Sequence, residues 1–279
     1  MTIKTYQSEK TQSSAEDGKA EQVRRRHEQI VNLVREQGFV TIETFAQQFN
    51  VTPQTIRRDI NSLSKKGLLH RYHGGAGLSS STENMDYSRR QTLCFSEKQR
   101  IASMVARHIP NQASLFINIG TTNEAVAKAL YNHDRLRIIT NNLNVASILS
   151  GNRNFEVIVT GGLVRSRDGG IIGEATIDFI RQFKVDYGII GISGIDEDGT
   201  LLDFDYREVN VAKAIVANSR KVFLAADHTK FGRNAMVRLG SIHDIDALFT
   251  DQQPATAMTE LLSMANTELY VTDSCPDKK

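Results

Sequence analysis

Polar side chains that can hydrogen-bond nucleic acid lie on one side of a short predicted helix. Thr52 is a favourable N-cap residue, and Pro53 suits the first helical position because its missing amide hydrogen costs nothing there. Helical spacing places three apolar residues on the core side: Ile56, Ile60 and Leu63. The opposite side carries Gln54, Thr55, Arg57, Arg58 and Asn61. Arginine can bond guanine through two donors, and Gln or Asn can bond adenine, so this helix is expected to read DNA.

The polar residues on and around this helix divide between base and phosphate contacts. We expect Gln54, Thr55 and Arg58 nearest the bases. Helix ends and wings usually follow phosphates, which assigns backbone contacts to Arg57, Lys65, Lys66, Arg71 and His73. An ordinary surface helix with solvated basic side chains would show the same pattern, and the pattern alone gives the two interpretations similar weight.

A second group of residues favours an anion. Gly120, Thr121 and Thr122 follow the β-rich segment SLFINI and precede a predicted helix. Glycine allows close backbone approach, hydroxyl groups donate, and the start of a helix offers free amides. Such a turn is also common in α/β domains that bind nothing there. It is not a Walker loop, because no Gly-Lys-Ser/Thr follows.

Other polar turns follow further predicted strands. Ligands of parallel sheets bind at the carboxyl ends of strands, so several such turns strengthen the case for a pocket. The candidate ligand contacts are Thr140, Asn141, Asn142, Gly161, Gly162, Arg165, Asp227 and Lys230. Each could instead serve as a cap or a turn. We expect Asp203, Asp205 and Glu208 to cap a helix or bind a ligand hydroxyl, and we assign them no catalytic role.

The base-reading helix belongs to a predicted small N-terminal domain. A first helix with apolar residues and His27 at helical spacing ends at Gly38, and Thr41 caps a second helix. After the third helix, residues 68–76 are expected to form a hairpin wing that bends at a pair of glycines.

The rest of the chain alternates between helix and strand patterns. A helix is expected to begin with a capping box of Ser96 and Gln99. Apolar, β-branched segments then recur: SLFINI, LRIIT, FEVIVT, VDYGIIGI, KVFLAA, ALFT and LYV. This alternation predicts a mainly parallel sheet covered by helices. The predicted fold class is α/β, with an N-terminal winged helix-turn-helix and a C-terminal mainly parallel α/β sensor domain.

Changes in composition and pattern set the predicted domain boundaries. They give a disordered tail over 1–20, a winged helix-turn-helix DNA-binding domain over 21–76, a linker over 77–93 and an α/β effector-binding domain over 94–279.

Composition predicts a cytoplasmic protein without membrane, metal or cofactor. No apolar run is long enough for a membrane helix, and the first residues are polar. Cys94 and Cys275 lie far apart, which argues against a disulfide framework or a zinc module. His70 and His73 have metal-like spacing but no third ligand nearby. Residues 21–75 contain nine basic and five acidic residues, a basic head in a chain of net charge +2.

The N-terminal motifs resemble a known family. The run VTPQTIRRDINSLSKKGLLHRYHGGA, preceded by FVTIETFAQQF, is similar to the head of DeoR-type bacterial repressors. The combination of TIRRD, the following Leu, Gly and Arg, and HGGA at these spacings carries the resemblance. It implies double-stranded operator DNA as a partner.

The C-terminal part resembles the DeoR sensor domain, whose fold is similar to ribose-5-phosphate isomerase. The resemblance covers roughly residues 23–252. The segments RSRDGGIIGEATIDFI, GISGIDEDGTLLDFDYREV and DHTKFGRNAMV resemble members that control glycerol 3-phosphate genes, which implies a small phosphorylated effector, sn-glycerol 3-phosphate. Asn118 stands where the family often has Asp, and Ala212, followed by Lys213, stands where Lys is common. These departures concern ligand affinity rather than fold.

Two hypotheses about function follow. The favoured one is a repressor without enzymatic activity. It is a homo-oligomer (dimer or tetramer) that binds paired operator half-sites. Effector binding then favours an arrangement of the DNA-binding domains that no longer matches the spacing of the half-sites. The alternative is a sugar-phosphate isomerase-like enzyme fused to a DNA-binding head. It needs a general base, and because Asn118 removes one carboxylate, Asp186 or Glu174 would have to substitute. An RNA-binding regulator is disfavoured, because only Tyr72 in the wing offers an aromatic platform.

Overall fold

The chain separates into two compact units, an N-terminal one up to Ser79 and a C-terminal one from Ser80. A computed structural model describes residues 22–34, 36–66, 68–72, 74–77 and 85–272. The tail predicted over 1–20, the predicted phosphate contact His73 and the thiol of Cys275 lie outside the described residues.

The N-terminal unit combines three helices with a small antiparallel sheet in its described part. Strand β3 pairs with both β1 and β2, in the order β1-β3-β2. The elements are α1 (22–34, continuing at 36–37), β1 (Phe39–Thr41), α2 (Ile42–Phe49), α3 (Pro53–Lys65), β2 (His70–Tyr72) and β3 (Gly75–Gly77). The predicted hairpin wing is therefore present as β2 and β3. Strand β1 was not predicted, because three residues are too few to show a period.

Local sequence explains where these helices begin and why the sheet closes. The hydroxyls of Thr41 and Thr52 accept hydrogen bonds from the amides of Thr44 and Thr55, as expected of N-caps. A Cβ at Gly75 would lie 2.4 Å from the Val40 carbonyl oxygen, so only glycine fits at this position of β3, where it pairs with β1. The core beneath is formed by buried apolar side chains that include Ile30, Val40, Phe45, Ile56, Ile60 and Leu63.

The C-terminal unit is built on a parallel sheet with helices on both faces. In the described residues the sheet has the strand order β15-β14-β12-β9-β4-β5-β6, and every pair is parallel. Its strands are β4 (Ser114–Ile117), β5 (Arg137–Thr140), β6 (Glu156–Val159), β9 (Val185–Ile190), β12 (Ser219–Ala225), β14 (Ala247–Thr250) and β15 (Glu268–Val271). These are the strands predicted from the seven apolar segments, and the α/β fold class is confirmed.

Helices and short strands complete the C-terminal unit. The helices are α4 (Tyr87–Thr92), α5 (Phe95–Arg107), α6 (Thr121–Ala129), α7 (Leu143–Leu149), α8 (Glu174–Ile180), α9 (Tyr206–Ala217) and α10 (Thr256–Met264). Short 3₁₀ helices cover Leu130–Asn132, His228–Lys230 and Ile242–Asp244. Antiparallel pairs are formed by β7 (Leu163–Val164) with β8 (Ile171–Ile172), and by β11 (Thr200–Asp203) with β10 (Gly194–Ile195) and β13 (Val237–Ser241).

The strand order creates a crevice in the middle of the sheet. From β4 the chain proceeds outward through β5 to β6, whereas from β9 it proceeds the other way through β12 to β14 and β15. Strands β4 and β9 are neighbours, and the connections that follow them lead to opposite sides of the sheet, to β5 and to β12. The carboxyl ends of β4 and β9 thus flank a topological switch point, where ligands of open α/β sheets bind.

Two local expectations at the start of this unit were wrong. The linker predicted over 77–93 contains helix α4. The polar composition of this segment gave no helical pattern, because the helix is held by residues that are distant in sequence. The predicted capping box of Ser96 and Gln99 does not form. Helix α5 begins after Cys94, which has a left-handed backbone, and the Ser96 hydroxyl donates to Glu97 instead.

Candidate functional site

Helix α3 presents polar and basic side chains to solvent. Gln54, Arg57 and Arg58 are exposed, and Thr55 and Asn61 are half-buried, while the apolar residues of the opposite side are buried. Lys65 and Lys66 are exposed at the carboxyl end of the helix. We call the surface formed by Gln54, Thr55, Arg57, Arg58, Asn61, Lys65, Lys66 and Arg71 the basic face. Its residue types are those that bond base edges and phosphates.

A hydrogen bond joins the wing to α3 within the basic face. Arg71 on β2 is exposed, and its Nη1 donates to Asn61 Oδ1 over 2.9 Å. Two residues that the sequence assigned separately to DNA contact therefore hold each other in this structure. The pairing sets the position of the wing beside the helix.

A buried ion pair, missed from the sequence, positions α3 on α1. Asp59 is buried, and its carboxylate accepts from Arg26 Nε at 2.6 Å and Nη2 at 3.2 Å. His27 Nε2 lies 3.0 Å from Asp59 Oδ1. His27 thus has a polar partner on the side of α1 that was expected to be apolar. The position of Asp59 between buried Ile56 and Ile60 was the available signal, because a charge on an apolar helix face needs a partner.

The C-terminal unit contains a cavity at the switch point of the parallel sheet. The turn after β4 supplies Gly120, Thr121 and Thr122, and the turn after β9 supplies Gly191 and Ser193. The remaining lining residues are Arg90, Asn118, Ile119, Ile192, Asp203, Glu208, Val209, Ala212, Ala225, Lys230 and Leu239. Asn118 and Ala212, where the sequence departs from the resembling family, both line this cavity.

The turn after β4 has the conformation that its residues predict. Gly120 has a φ of 133°, which favours glycine, and α6 starts at Thr121. The Asn123 side chain donates to the carbonyl oxygens of Asn118 and Ile119, each over 3.1 Å, and fixes the turn. The start of α6 therefore faces the cavity with a hydroxyl-bearing turn.

Helix α4 contributes an arginine to the cavity. The Thr121 hydroxyl donates to the Arg90 carbonyl oxygen over 3.2 Å, and the Nζ of buried Lys98 donates to the same oxygen. Nη2 of Arg90 lies 3.4 Å from Asp168 Oδ2. Lys98 shares a helical face with the buried Ile101 and Val105 of α5, which was the sequence signal for its burial.

Two further charges lie on the β12 side of the cavity. Burial lowers the pKa of Lys230 to about 8, against the attraction of Asp227. Burial would raise the pKa of Asp227, but the positive charges of Lys230 and Lys98 prevail and lower it to about 2. Asp227 Oδ2 is 4.0 Å from Lys230 Nζ and has no hydrogen-bond partner within the described ranges. Lys230 is thus a cation with only 12% of its side chain exposed and with one incompletely satisfied counter-ion.

Carboxylates occupy another part of the cavity wall. Asp203 Oδ1 accepts from the Ser193 hydroxyl at 2.9 Å, and Glu208 Oε2 accepts from Arg165 Nη1 at 2.5 Å. Burial, and after it the charge of Asp203, raises the pKa of Glu208 to about 7. Arg165 also donates to Asp168 over 2.7 Å, and it does not line the cavity itself. It therefore fixes the position of Glu208 from outside the cavity lining. These acids can accept hydrogen bonds from ligand hydroxyl groups.

Several predicted ligand contacts lie outside the cavity lining. Thr140 donates to the Ile117 carbonyl oxygen, Asn141 donates to that of Ile171, and Asn142 caps α7. Gly161 accepts from Thr176, and a Cβ at Gly162 would lie 2.2 Å from the Thr176 hydroxyl oxygen. Their strands, β5 and β6, lie one and two places from the switch point. Asp227 and Arg165 also lie outside the lining, where they contact the lining residues Lys230 and Glu208.

The general bases considered for an isomerase are not at the cavity. Asp186 lies near the start of β9, at the opposite end of that strand, and accepts from the amide and hydroxyl of Ser114. These bonds lower its pKa. Glu174 is exposed at the start of α8. Within the described residues, no three His, Cys, Asp or Glu side chains are grouped as a metal site requires, and no helix could cross a membrane.

Comparisons with known proteins identify both units. Residues 26–82 match the family described as "DeoR-like helix-turn-helix domain", and residues 94–252 match "DeoR C terminal sensor domain". The glycerol-3-phosphate regulon repressor of Escherichia coli (strain K12) is 56% identical over 238 residues, 85% of this chain and 94% of that protein. The repressor of the same name from Haemophilus influenzae is 53% identical, over 82% of this chain and 89% of that protein.

A more distant relative and one solved structure extend the comparison. The transcriptional repressor CsqR of E. coli is 44% identical over 88% of this chain and 94% of that protein. Ribose 5-phosphate isomerase A from Neisseria gonorrhoeae is similar with a TM-score of 0.36 and 14% identity, over 48% of this chain and 52% of that one. These relatives, which align with 82–88% of this chain, are transcriptional repressors, so the chain is a regulator rather than an enzyme. It belongs to the DeoR family of helix-turn-helix transcriptional repressors.

Proposed function

We propose that this repressor controls genes of glycerol 3-phosphate catabolism and that sn-glycerol 3-phosphate releases it from its operator. The basic face binds double-stranded DNA, with Gln54, Thr55 and Arg58 at the bases and the remaining basic residues at phosphates. The effector occupies the cavity at the switch point. The resemblance to glycerol-3-phosphate regulon repressors supports this choice of effector.

One observation carries the proposal about the effector: the cavity combines donors for a phosphate with acceptors for hydroxyl groups. Gly120–Thr122, the start of α6 and Lys230 suit the phosphate. Asp203 and Glu208 suit the hydroxyls of a small polyol. A phosphate ion alone would leave the carboxylates unused, and a polyol alone would leave Lys230 unused.

Operator binding requires two heads in the proposed mechanism. A homo-oligomer, a dimer or a tetramer, places two α3 helices at half-sites about one helical turn apart. Effector binding favours an arrangement of subunits in which the heads no longer match that spacing. Because the operator is DNA, we propose that the repressor acts in the cytoplasm.

The two assigned surfaces can be tested independently in one pair of variants. Arg58→Ala removes a base contact and should abolish specific operator binding while calorimetry still detects glycerol 3-phosphate. Thr121→Ala removes a cavity hydroxyl and should weaken effector binding while a gel-shift assay still shows the operator complex. If each variant loses both activities although its circular dichroism spectrum is normal, the division into reading and sensing units is wrong.

Ligand specificity is tested with fragments of the effector. Glycerol and inorganic phosphate should each fail to release the operator at concentrations where glycerol 3-phosphate does so. Release by inorganic phosphate alone would contradict a role for the carboxylates in recognition. Release by a different phosphorylated metabolite and none by glycerol 3-phosphate would overturn the proposed effector.

A further inference from the structure

Residues of the effector cavity and its margin form several hydrogen bonds to helix α4. The Tyr87 hydroxyl donates to Glu124, which lies in the first turn of α6, at 2.8 and 3.0 Å. The Asn144 side chain on α7 contacts the same hydroxyl at 2.8 Å. Together with the bonds from Thr121 and Lys98 to the Arg90 carbonyl oxygen, these contacts fasten a six-residue helix to the turn that faces the cavity.

Arg90 is the residue of α4 that faces the cavity itself. Its side chain is largely buried, with 16% of its surface exposed, and it lines the cavity with Thr121 and Lys230. Its guanidinium group contacts Asp168 at 3.4 Å and donates to the Met85 carbonyl oxygen at 3.2 Å. Asp168 is bound more closely by Arg165, at 2.7 and 3.0 Å. An anion in the cavity can therefore draw Arg90 away without leaving Asp168 unpaired.

The Thr121 hydroxyl is shared between the cavity and α4. It now donates to the Arg90 carbonyl oxygen. A phosphate at the turn offers that hydroxyl a charged acceptor, and hydrogen bonds to charged groups are roughly twice as strong as neutral ones. A bound phosphate thus competes for two anchors of α4, the Thr121 hydroxyl and the Arg90 guanidinium group. Helix α4 is also the first described helix after the segment that leads from the DNA-binding unit.

We propose that Arg90 couples effector occupancy to DNA release: the bound anion attracts its side chain, and α4 shifts with it. This inference rests on the proposed function, because it requires an anionic effector in the cavity. It assigns Arg90 a positioning role and goes beyond ligand affinity. Coupling means that the operator Kd changes between the empty and the saturated protein, and the factor of change measures the coupling.

The test compares Arg90→Ala and Arg90→Lys with Arg89→Ala in the full-length protein. Arg89 is the exposed neighbour on the same helix and serves as the matched control. The operator Kd is measured without and with glycerol 3-phosphate at a concentration that calorimetry shows to be saturating for each variant. For wild type and Arg89→Ala we expect an increase of roughly 5–150-fold, the usual range of allosteric coupling.

For Arg90→Ala the ratio of the operator Kd with and without effector should fall below about twofold even at saturation. The reason is that the variant has lost the coupling between the cavity and α4, and not only affinity for the effector. Arg90→Lys keeps the charge but not the planar fork, and it should give an intermediate ratio. Hydrogen exchange over residues 85–93 should change with effector in wild type and not in Arg90→Ala. A full wild-type ratio in Arg90→Ala at saturation overturns the proposal.

Failure of the proposed function gives a different result. If wild type itself shows a ratio of one with glycerol 3-phosphate, the effector assignment fails and the role of Arg90 falls with it. If wild type responds and Arg90→Ala responds equally, only the coupling role fails. Thermal melts of each variant show whether a lost ratio reflects loss of folding.

Discussion

At the scale of single residues, the buried charges decide how each unit is held together. Asp59 neutralises Arg26 and lies within hydrogen-bond distance of His27 in the N-terminal unit, and Asp227 is the counter-ion of Lys230 in the C-terminal unit. Removing one partner of such a pair leaves the other charge without compensation in a poorly solvated place. Substitutions at these carboxylates should therefore act on stability or on ligand affinity far more than their size suggests.

Asp59→Asn should destabilise the N-terminal unit by about 3 kcal/mol, the lower end of the range for a broken buried ion pair. The shape of the side chain is kept, but Arg26 loses its counter-charge. The measurement is chemical unfolding of the full chain followed by circular dichroism. Glu43→Gln, at an exposed carboxylate in the same unit, is the control and should change stability little. Equal stability of the two variants would refute the structural role of Asp59.

Lys230 should make effector binding dependent on pH. Its pKa of about 8 means that the side chain is a cation below that pH and neutral above it. A phosphate monoester is already a dianion above pH 7, so the ligand charge is constant there. Effector affinity should fall as the pH rises through 8, at most about tenfold per pH unit. Lys230→Arg stays charged at any of these pH values, and its calorimetric pH profile should be flat between 7.5 and 9.5.

At the scale of elements, the basic face combines residues of two elements with different proposed roles: α3 contacts bases, and the wing contacts phosphates. We predict that Arg71→Ala on β2 removes one phosphate contact, so operator and unrelated DNA should both be bound more weakly. The slope of log affinity against log salt should fall by about 0.9. Arg58→Ala on α3 should weaken the operator complex alone. Fluorescence titrations at three salt concentrations distinguish these outcomes, and a sequence-specific effect of Arg71→Ala would contradict the assignment of the wing to the backbone.

Most elements could be predicted from sequence because their signals are local. Caps at Thr41 and Thr52 and the seven apolar segments each need only a few neighbouring residues. The cavity could be predicted only in part, since its lining depends on strand order. The turns after β4, β9 and β12 all contribute residues to the cavity lining, whereas those after β5 and β6 do not. Helix α4 was missed because its anchors, Glu124 and Thr121, lie more than thirty residues away in sequence.

At the scale of the whole molecule, we propose that one chain binds two ligands, operator DNA and the effector, each of which weakens the binding of the other. The basic face and the proposed effector cavity lie in different compact units, so we expect that each can be altered by substitutions within its own unit. Opposition between two ligands is a thermodynamic property of the whole protein. If the effector lowers the affinity for the operator by some factor, the operator must lower the affinity for the effector by the same factor.

The most direct measurement is therefore a pair of titrations at one fixed salt concentration, since salt alone changes operator affinity strongly. The operator Kd is determined by fluorescence with and without saturating glycerol 3-phosphate, and the Kd of glycerol 3-phosphate is determined by calorimetry with and without saturating operator. We predict that both affinities fall by the same factor. Glycerol 3-phosphate binding that is equally tight with and without operator would contradict it.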